Sequence, residues 1–333
     1  MPLLSFENVT KQFLLPSSFL GRVLGGQKDR VVHAVNDITM DLDENETLGL
    51  VGESGSGKST LGRVAIRLLK PTSGKVVFHG EDIGAVDGSR LRKIRRNMQI
   101  IFQNPYSSLN PRKTIRQIVG TALKVRGIQN LKEQEKEIRQ LLRRVSLPER
   151  FIDSYPHQLS GGQRQRISII RALAVQPKLI VADEPVSALD VSVQAQIIRL
   201  LEELKKEFRL TYLFIAHDLR VVYHISDRVA VMYLGRLAEV AETEELYKKA
   251  MHPYTRALLA AIPKLERTGL KERFVLKGTV PSPLEPPRGC FFHTRCPEKI
   301  GPVCENAAPG WTQVSAGHEV ACFLYGQTVM GGE

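Results

Sequence analysis

Apolar positions along this chain come in two textures. Three short continuous runs, Thr47-Leu-Gly-Leu-Val51, Leu179-Ile-Val-Ala182 and Thr211-Tyr-Leu-Phe-Ile-Ala216, are each bounded by turn or polar residues. Runs of that length without alternation are covered on both faces, so the three predict buried strands of one sheet. Elsewhere the spacing is helical. Ile115, Ile118, Val119 and Leu123 share one helical face within a stretch, from about 111 to 175, rich in Leu, Ile, Arg, Lys, Gln and Glu. Val193, Ile197, Leu200, Leu201 and Leu204 repeat the pattern and predict a helix packed on the sheet. Residues 3 to 51 read as strands and turns, the last strand running into a Gly-rich loop. Strand, Gly-rich turn and helix in that order open an α/β core. Beyond about residue 250 the texture changes to Pro-rich loops with Cys and His. The expected organisation is therefore a core over 1–250, interrupted by a helical subdomain at about 104–175, and an extension over 251–333.

Composition changes this picture little. With 42% hydrophobic and 25% charged residues among 333, the chain has the make-up of an ordinary globular protein. The net charge of +12 suits phosphates, nucleic acid or an anionic membrane surface, and equally a solvated basic exterior. Within it, Arg90-Leu-Arg-Lys-Ile-Arg-Arg96 has helical character and is expected to be a solvated helix face, not a nucleic-acid contact. No apolar run approaches the roughly 18 residues that span a bilayer, and the first residues lack the basic-then-apolar order of a signal peptide. The expectation is a cytosolic chain that needs a separate partner for any membrane role. All four cysteines lie beyond residue 289. In a reducing compartment such clustering favours a shared metal over disulfides, and buried thiols without a ligand are the alternative.

The chemistry begins at Gly52-Glu53-Ser54-Gly55-Ser56-Gly57-Lys58-Ser59, which fits G-x-x-x-x-G-K-[ST] and follows a strand. Its glycines let successive N–H groups curl around phosphate oxygens, and the helix that follows, through Thr60, adds its positive end. Lys58 is expected to neutralise the β- and γ-phosphates of ATP and the Ser59 hydroxyl to ligate Mg²⁺. A second apolar strand delivers Asp183 and Glu184 at its end. Asp183 is placed to hold Mg²⁺, directly or through water, and Glu184 to act as general base on the attacking water.

Between these elements stands Leu159-Ser160-Gly161-Gly162-Gln163. Here the sequence resembles the ATP-binding-cassette (ABC) ATPase family, whose signature this is. Gln103 in Ile101-Phe-Gln-Asn-Pro105 matches the family's Q-loop, Ser187-Ala-Leu-Asp190 its D-loop and His217 in Ile215-Ala-His-Asp218 its switch histidine, all in the family's order. The resemblance implies a P-loop NTPase (RecA-like) cassette in which two subunits dimerise head to tail. Ser160, Gly161, Gly162 and Gln163 of one subunit then close over the ATP held by the other, Gln103 touches Mg²⁺ or the attacking water, and His217 contacts the γ-phosphate and supports Glu184. Phe13 stands where the family usually carries an aromatic on the adenine, although the stretch Leu14 to Gln27 departs from the family's pattern.

Longer matches narrow the branch. Met98 to Arg112, Ser154-Tyr-Pro-His-Gln-Leu-Ser160, Asp183 to Ala195 and His252-Pro-Tyr-Thr-Arg-Ala-Leu-Leu259 resemble the ATPases of dipeptide and oligopeptide (peptide/nickel) importers, and among them the F-type subunit. That resemblance implies ATP hydrolysis driving uptake of peptides or a related solute, at the cytoplasmic face of the inner membrane. The partners it implies are a D-type second ATPase, two membrane permeases and an extracytoplasmic solute-binding protein, with no nucleic acid. It also implies a [4Fe–4S] cluster on Cys290, Cys296, Cys304 and Cys322, with zinc as the alternative. A soluble cassette acting on nucleic acid or ribosomes is the competing reading; such proteins carry a long coiled coil or a second cassette, and neither is present here.

Overall fold

The structure, a computed structural model, describes residues 1–16, 29–262 and 278–326. Most of the stretch Leu14 to Gln27 thus lies outside the described residues. Twelve strands are present among them: β1 (Leu4–Leu15), β2 (Arg30–Leu42), β3 (Thr47–Val51), β4 (Ser73–Phe78), β5 (Glu81–Asp82), β6 (Met98–Ile101), β7 (Leu179–Asp183), β8 (Thr211–Ile215), β9 (Arg228–Tyr233), β10 (Arg236–Glu242), β11 (Thr312–Ser315) and β12 (His318–Val320). They form a four-stranded sheet, β2-β1-β4-β5, and an eight-stranded one, β11-β12-β10-β9-β3-β8-β7-β6. From β9 through β6 the large sheet is parallel, whereas β10, β12 and β11 continue it antiparallel.

The three continuous apolar runs are the neighbouring strands β3, β8 and β7, and every residue in them is buried. Alternation by face explains why no polar position interrupts them. Tyr212 and Phe214 of β8 and Ile180 and Ala182 of β7 enter one core, shared with the helical subdomain. Leu213 and Ile215, with Leu179 and Val181, enter the other, shared with the four-stranded sheet. A parallel strand sandwiched this way must be apolar on both sides. The helix Lys58–Ala65 lies in the second core through Leu61, Val64 and Ala65. The helix Val191–Phe208 buries Ile197, Leu200, Leu201 and Leu204, four of the five positions whose spacing predicts it.

The inserted helices are Pro105–Ser108, Ile115–Arg126, Leu131–Arg144 and Gly161–Leu173. Thr114 opens the second with a capping box to Gln117, and the Asn130 side chain accepts from the first N–H groups of the third. Arg171 ties the last of them back to the sheet by donating to the carbonyls of Ser108 and Ile100. The basic run at Arg90 lies on the helix Gly88–Arg95, where Arg90 points outward and pairs with Glu81.

Residues beyond 250 are built into the core. β12 adds to the edge of β10, with Glu239 opposite Val320. Glu239 is fully buried there, and its carboxylate accepts from Met251 N, His252 N and His318 Nε2 at 2.7, 3.0 and 2.7 Å. A buried carboxylate is tolerable only when its lone pairs are filled in this way. Glu239→Ala would leave three buried donors without an acceptor. The expected loss is about 3–5 kcal/mol of unfolding free energy, read from urea denaturation, with Glu203→Ala on the exposed face of its helix changing stability by less than about 0.5 kcal/mol.

Candidate functional site

Strands β6, β7, β8 and β3 run parallel, so their carboxyl ends face the same edge of the sheet. Gln103 follows β6 by two residues, Asp183 ends β7 with Glu184 directly after it, His217 follows β8 by two, and the glycine-rich loop follows β3. The register, Ile101 opposite Ala182 and Asp183 opposite Ile215, sets these residues side by side. Open α/β sheets bind ligands at this edge.

The loop can take its shape only with glycine at two points. Gly52 has φ 150° and a Cβ there would stand 2.1 Å from Met232 O; Gly57 has φ 103° and a Cβ would stand 2.1 Å from Ala34 O. The turn between β9 and β10 closes the packing through Gly235 N, which donates to Ser56 O at 2.9 Å. Gly55 and Ser54 face outward, while Ser56 and Lys58 are buried. Lys58 Nζ donates to Gly52 O at 2.7 Å, to Glu53 O at 2.8 Å and to Ser56 Oγ at 3.2 Å. Burial holds its ammonium below the ordinary lysine value, against the pull of Glu184, Asp183 and Glu53. Thr60 lies in the first turn of the helix Lys58–Ala65.

Across from the loop, Ser59 Oγ donates to Asp183 Oδ1 at 2.7 Å. Burial raises the Asp183 carboxyl above the usual carboxylate range, countered by that hydroxyl and by Arg63. Glu184 has φ 49°, a left-handed conformation that costs a residue with a Cβ about 1–3 kcal/mol. Its N–H is held by Ile215 O at 2.9 Å, which fixes the turn. Its Oε2 accepts from Gln103 Nε2 at 2.8 Å and lies 3.3 Å from His217 Nδ1. The direction of that contact is set by the imidazole tautomer.

Lys58, Ser59, Gln103, Asp183, Glu184 and His217 thus form one connected group. The signature residues form a second. Ser160 caps the helix Gly161–Leu173, its hydroxyl accepting from Gln163 N and its N–H donating to Gln163 Oε1 at 2.9 Å. Gly162 allows close approach to the helix after the D-loop, because a Cβ there would lie 2.6 Å from Val193 Cγ1. Phe13 stands apart on β1, half-buried opposite Val32, with Lys11 Nζ 5.1 Å from its ring centre.

A family model described as "ABC transporter" matches residues 35–187, and one described as "Oligopeptide/dipeptide transporter, C-terminal region" matches 238–304. The oligopeptide transport ATP-binding protein AppF of Bacillus subtilis is 50% identical over 97% of both chains. This chain belongs to the ABC transporter ATP-binding family. A probable peptide ABC transporter ATP-binding protein of Sinorhizobium fredii, y4tS, is 45% identical over 97% of this chain and 90% of its own length. Among solved structures, the dimeric ATP-binding cassette MJ0796 bound to ADP and Pi is 30% identical, with a TM-score of 0.63 over 72% of this chain and 98% of that one.

Two side chains at the ABC site were not singled out by the sequence. Tyr254, in the His252-Pro-Tyr run, has a hydroxyl that accepts from Glu53 N at 2.8 Å. Arg295, a spacer between two cysteines, pairs with the Glu53 carboxylate. The local sequence carries no signal for either, since each meets the loop only through the fold.

The expectation of a [4Fe–4S] cluster or zinc on Cys290, Cys296, Cys304 and Cys322 is corrected. Among the described residues no group of three or more His, Cys, Asp or Glu is placed to hold a metal ion. The four free thiols border one mostly apolar cavity of about 10 Å³, room for about one water molecule. Burial pushes Cys290 up and Cys296 and Cys322 to about 11. Burial thus disfavours the thiolate form at Cys290, Cys296 and Cys322. Cys290 and Cys296 pack on the core beside Phe292 as small apolar groups.

Asp183 carries a pH-dependent cost that follows from its raised value. Its charged form destabilises the fold at every pH above the unfolded-state pKa, and the cost vanishes once both states are protonated. Asp183→Asn should therefore raise the melting temperature at about pH 7 and leave it nearly unchanged at about pH 3, measured by thermal unfolding at both.

Proposed function

We propose that this chain is the ATP-hydrolysing subunit that powers import of peptides, or a related small solute, through an ABC transporter. The observation that carries the reading is the convergence of Lys58, the Ser59–Asp183 pair and Glu184 at one sheet edge, on a chain whose C-terminal region matches the oligopeptide/dipeptide transporter family.

In this reading the loop N–H groups of residues 52–60 and Lys58 take the ATP phosphates, the ammonium leaving the loop carbonyls it holds here. The hydroxyl and carboxylate oxygens of Ser59 and Asp183, 2.7 Å apart, are hard donors of the kind magnesium prefers. They would hold Mg²⁺, and with it charge neutralisation on the phosphate oxygens. Gln103 gives its amide N–H to Glu184, which leaves its oxygen as the atom able to ligate the same cation or a water. Glu184 takes the proton of the attacking water, aimed by Gln103 and His217. The Ser160 hydroxyl and the N–H groups of Gly161, Gly162 and Gln163, at a helix N-terminus, grip the γ-phosphate of ATP on a partner subunit. Phe13 stacks on the adenine.

The partner is a D-type cassette in a head-to-tail heterodimer. That pair works beneath two membrane permeases, on the cytoplasmic face of the inner membrane, with an extracytoplasmic protein delivering the solute. Among the described residues no helix is long and apolar enough to cross a membrane; peripheral attachment through the helical subdomain meets that need.

Two measurements test this. Glu184→Gln keeps the hydrogen-bonding shape but cannot accept a proton, so phosphate release should fall by about 10²–10⁴-fold while ATP binding persists; near-normal turnover would remove Glu184 as the base. Affinity capture from native membranes should recover two polytopic proteins, a second cassette and a binding protein. Recovery of ribosomes or DNA-bound partners instead would overturn the transport role.

A further inference from the structure

One residue of the phosphate loop is held from three sides. The Glu53 carbonyl accepts from Lys58 Nζ at 2.8 Å, its N–H donates to the Tyr254 hydroxyl at 2.8 Å, and its carboxylate receives two Arg295 donors at 2.6 and 3.1 Å. The last two partners come from beyond residue 250. Neither is a flexible surface arm. Tyr254 is fully buried, and the Arg295 side chain is only 6% exposed. An aromatic cluster sets both. The Tyr254 ring lies 4.7 Å from that of Tyr233, at the end of β9, and Phe292 packs edge-on to Tyr233 at 5.3 Å. The Arg295 guanidinium sits 5.9 Å from the Tyr233 ring, and its backbone N–H is fixed by Phe292 O at 3.0 Å. Tyr233 in turn belongs to the strand whose neighbour Met232 abuts Gly52.

The loop therefore faces an electrostatic problem that its motif does not solve. It is built to receive several negative charges, yet its second residue carries a carboxylate. A bidentate guanidinium neutralises that carboxylate and fixes its direction, which a single lysine could not do. The Tyr254 hydroxyl fixes the peptide plane before Glu53, and so the direction of the carbonyl that positions Lys58.

We propose that the C-terminal extension braces the phosphate loop, with Arg295 and Tyr254 as positioning residues that set its affinity for the nucleotide's phosphates. The inference rests on the reading that residues 52–59 hold ATP. It makes the extension a part of the nucleotide site and not only an appendage to the cassette.

The test is equilibrium binding of radiolabelled ATP with Mg²⁺ to the full-length chain, with Lys58→Ala as the control for the loop itself. Arg295→Ala exposes the Glu53 charge to the phosphates and should weaken ATP by about 10-fold or more. Adding Glu53→Gln to it removes that charge and should recover most of the loss, whereas damage confined to the extension's own packing gives no recovery. Tyr254→Phe keeps the ring packing and should still weaken ATP by about 3-fold or more. Arg295→Lys, which retains charge but not the fork, should fall between wild type and Arg295→Ala, and it keeps the test open if the alanine variant does not fold. Wild-type affinity in both Arg295→Ala and Tyr254→Phe, or a double variant as weak as the single, overturns the brace. A wild-type chain that binds no ATP, or a Lys58→Ala chain that binds it undiminished, overturns instead the assignment of the loop.

Discussion

The ammonium of a lysine that is only 5% exposed has to be surrounded by oxygens, and here the chain wraps its own backbone around it. Two carbonyls and a serine hydroxyl of the preceding loop satisfy Lys58, and they can reach it only because the loop doubles back on itself in six residues. That curl demands positive φ at Gly52 and Gly57, contact distances at Met232 and Ala34 that leave no space for a Cβ, and an anchoring N–H from Gly235. Each requirement passes the constraint one layer outward: from loop to the β9–β10 turn, from that turn to Tyr233, and from Tyr233 to the extension. In the proposed reading, the ring of donors and acceptors around Lys58 is also what an incoming triphosphate would replace, so that folding and binding would draw on the same groups.

The second half of the site depends on the parallel sheet. Because β6, β7, β8 and β3 point the same way, four chain segments that are distant in sequence end together, and their first free residues are the amide, the two carboxylates, the imidazole and the loop. Glu184 shows how tightly this end is specified. Its left-handed backbone is retained because Ile215 O takes its N–H and Gln103 and His217 flank its carboxylate. A carboxylate so held has one direction in which to accept a proton, which is what a general base requires.

The extension meets the rest of the chain through polar contacts to two carboxylates. Glu239 accepts from residues 251, 252 and 318, and the Glu53 carboxylate accepts two donors from Arg295 while its N–H donates to the Tyr254 hydroxyl. Both carboxylates are held by groups from beyond residue 250. Of the four cysteines, Cys290 and Cys296 pack on the core beside Phe292, where burial disfavours their thiolate forms.

The amino-acid sequence determined those parts of this protein whose physics is local. Continuous apolar runs could only be strands covered on both faces; a glycine-rich loop ending in Lys58-Ser59 could only curl; Ser160 and Gln163, three apart, could only close a capping box. Contiguity carried the signal in each case, and the strands, the phosphate loop, the signature and the acidic strand end were legible for that reason. Contacts between distant segments were decided by the tertiary structure alone. Nothing near Glu53 announces a partner 242 residues away, and Arg295 looked like a spacer because the cysteines around it drew the reading toward metal. Thiol spacing states that four sulfurs could meet; what surrounds them is set by folding, which here places them around one small, mostly apolar cavity. Hydrogen bonds and desolvation act through space, and only the fold sets those distances.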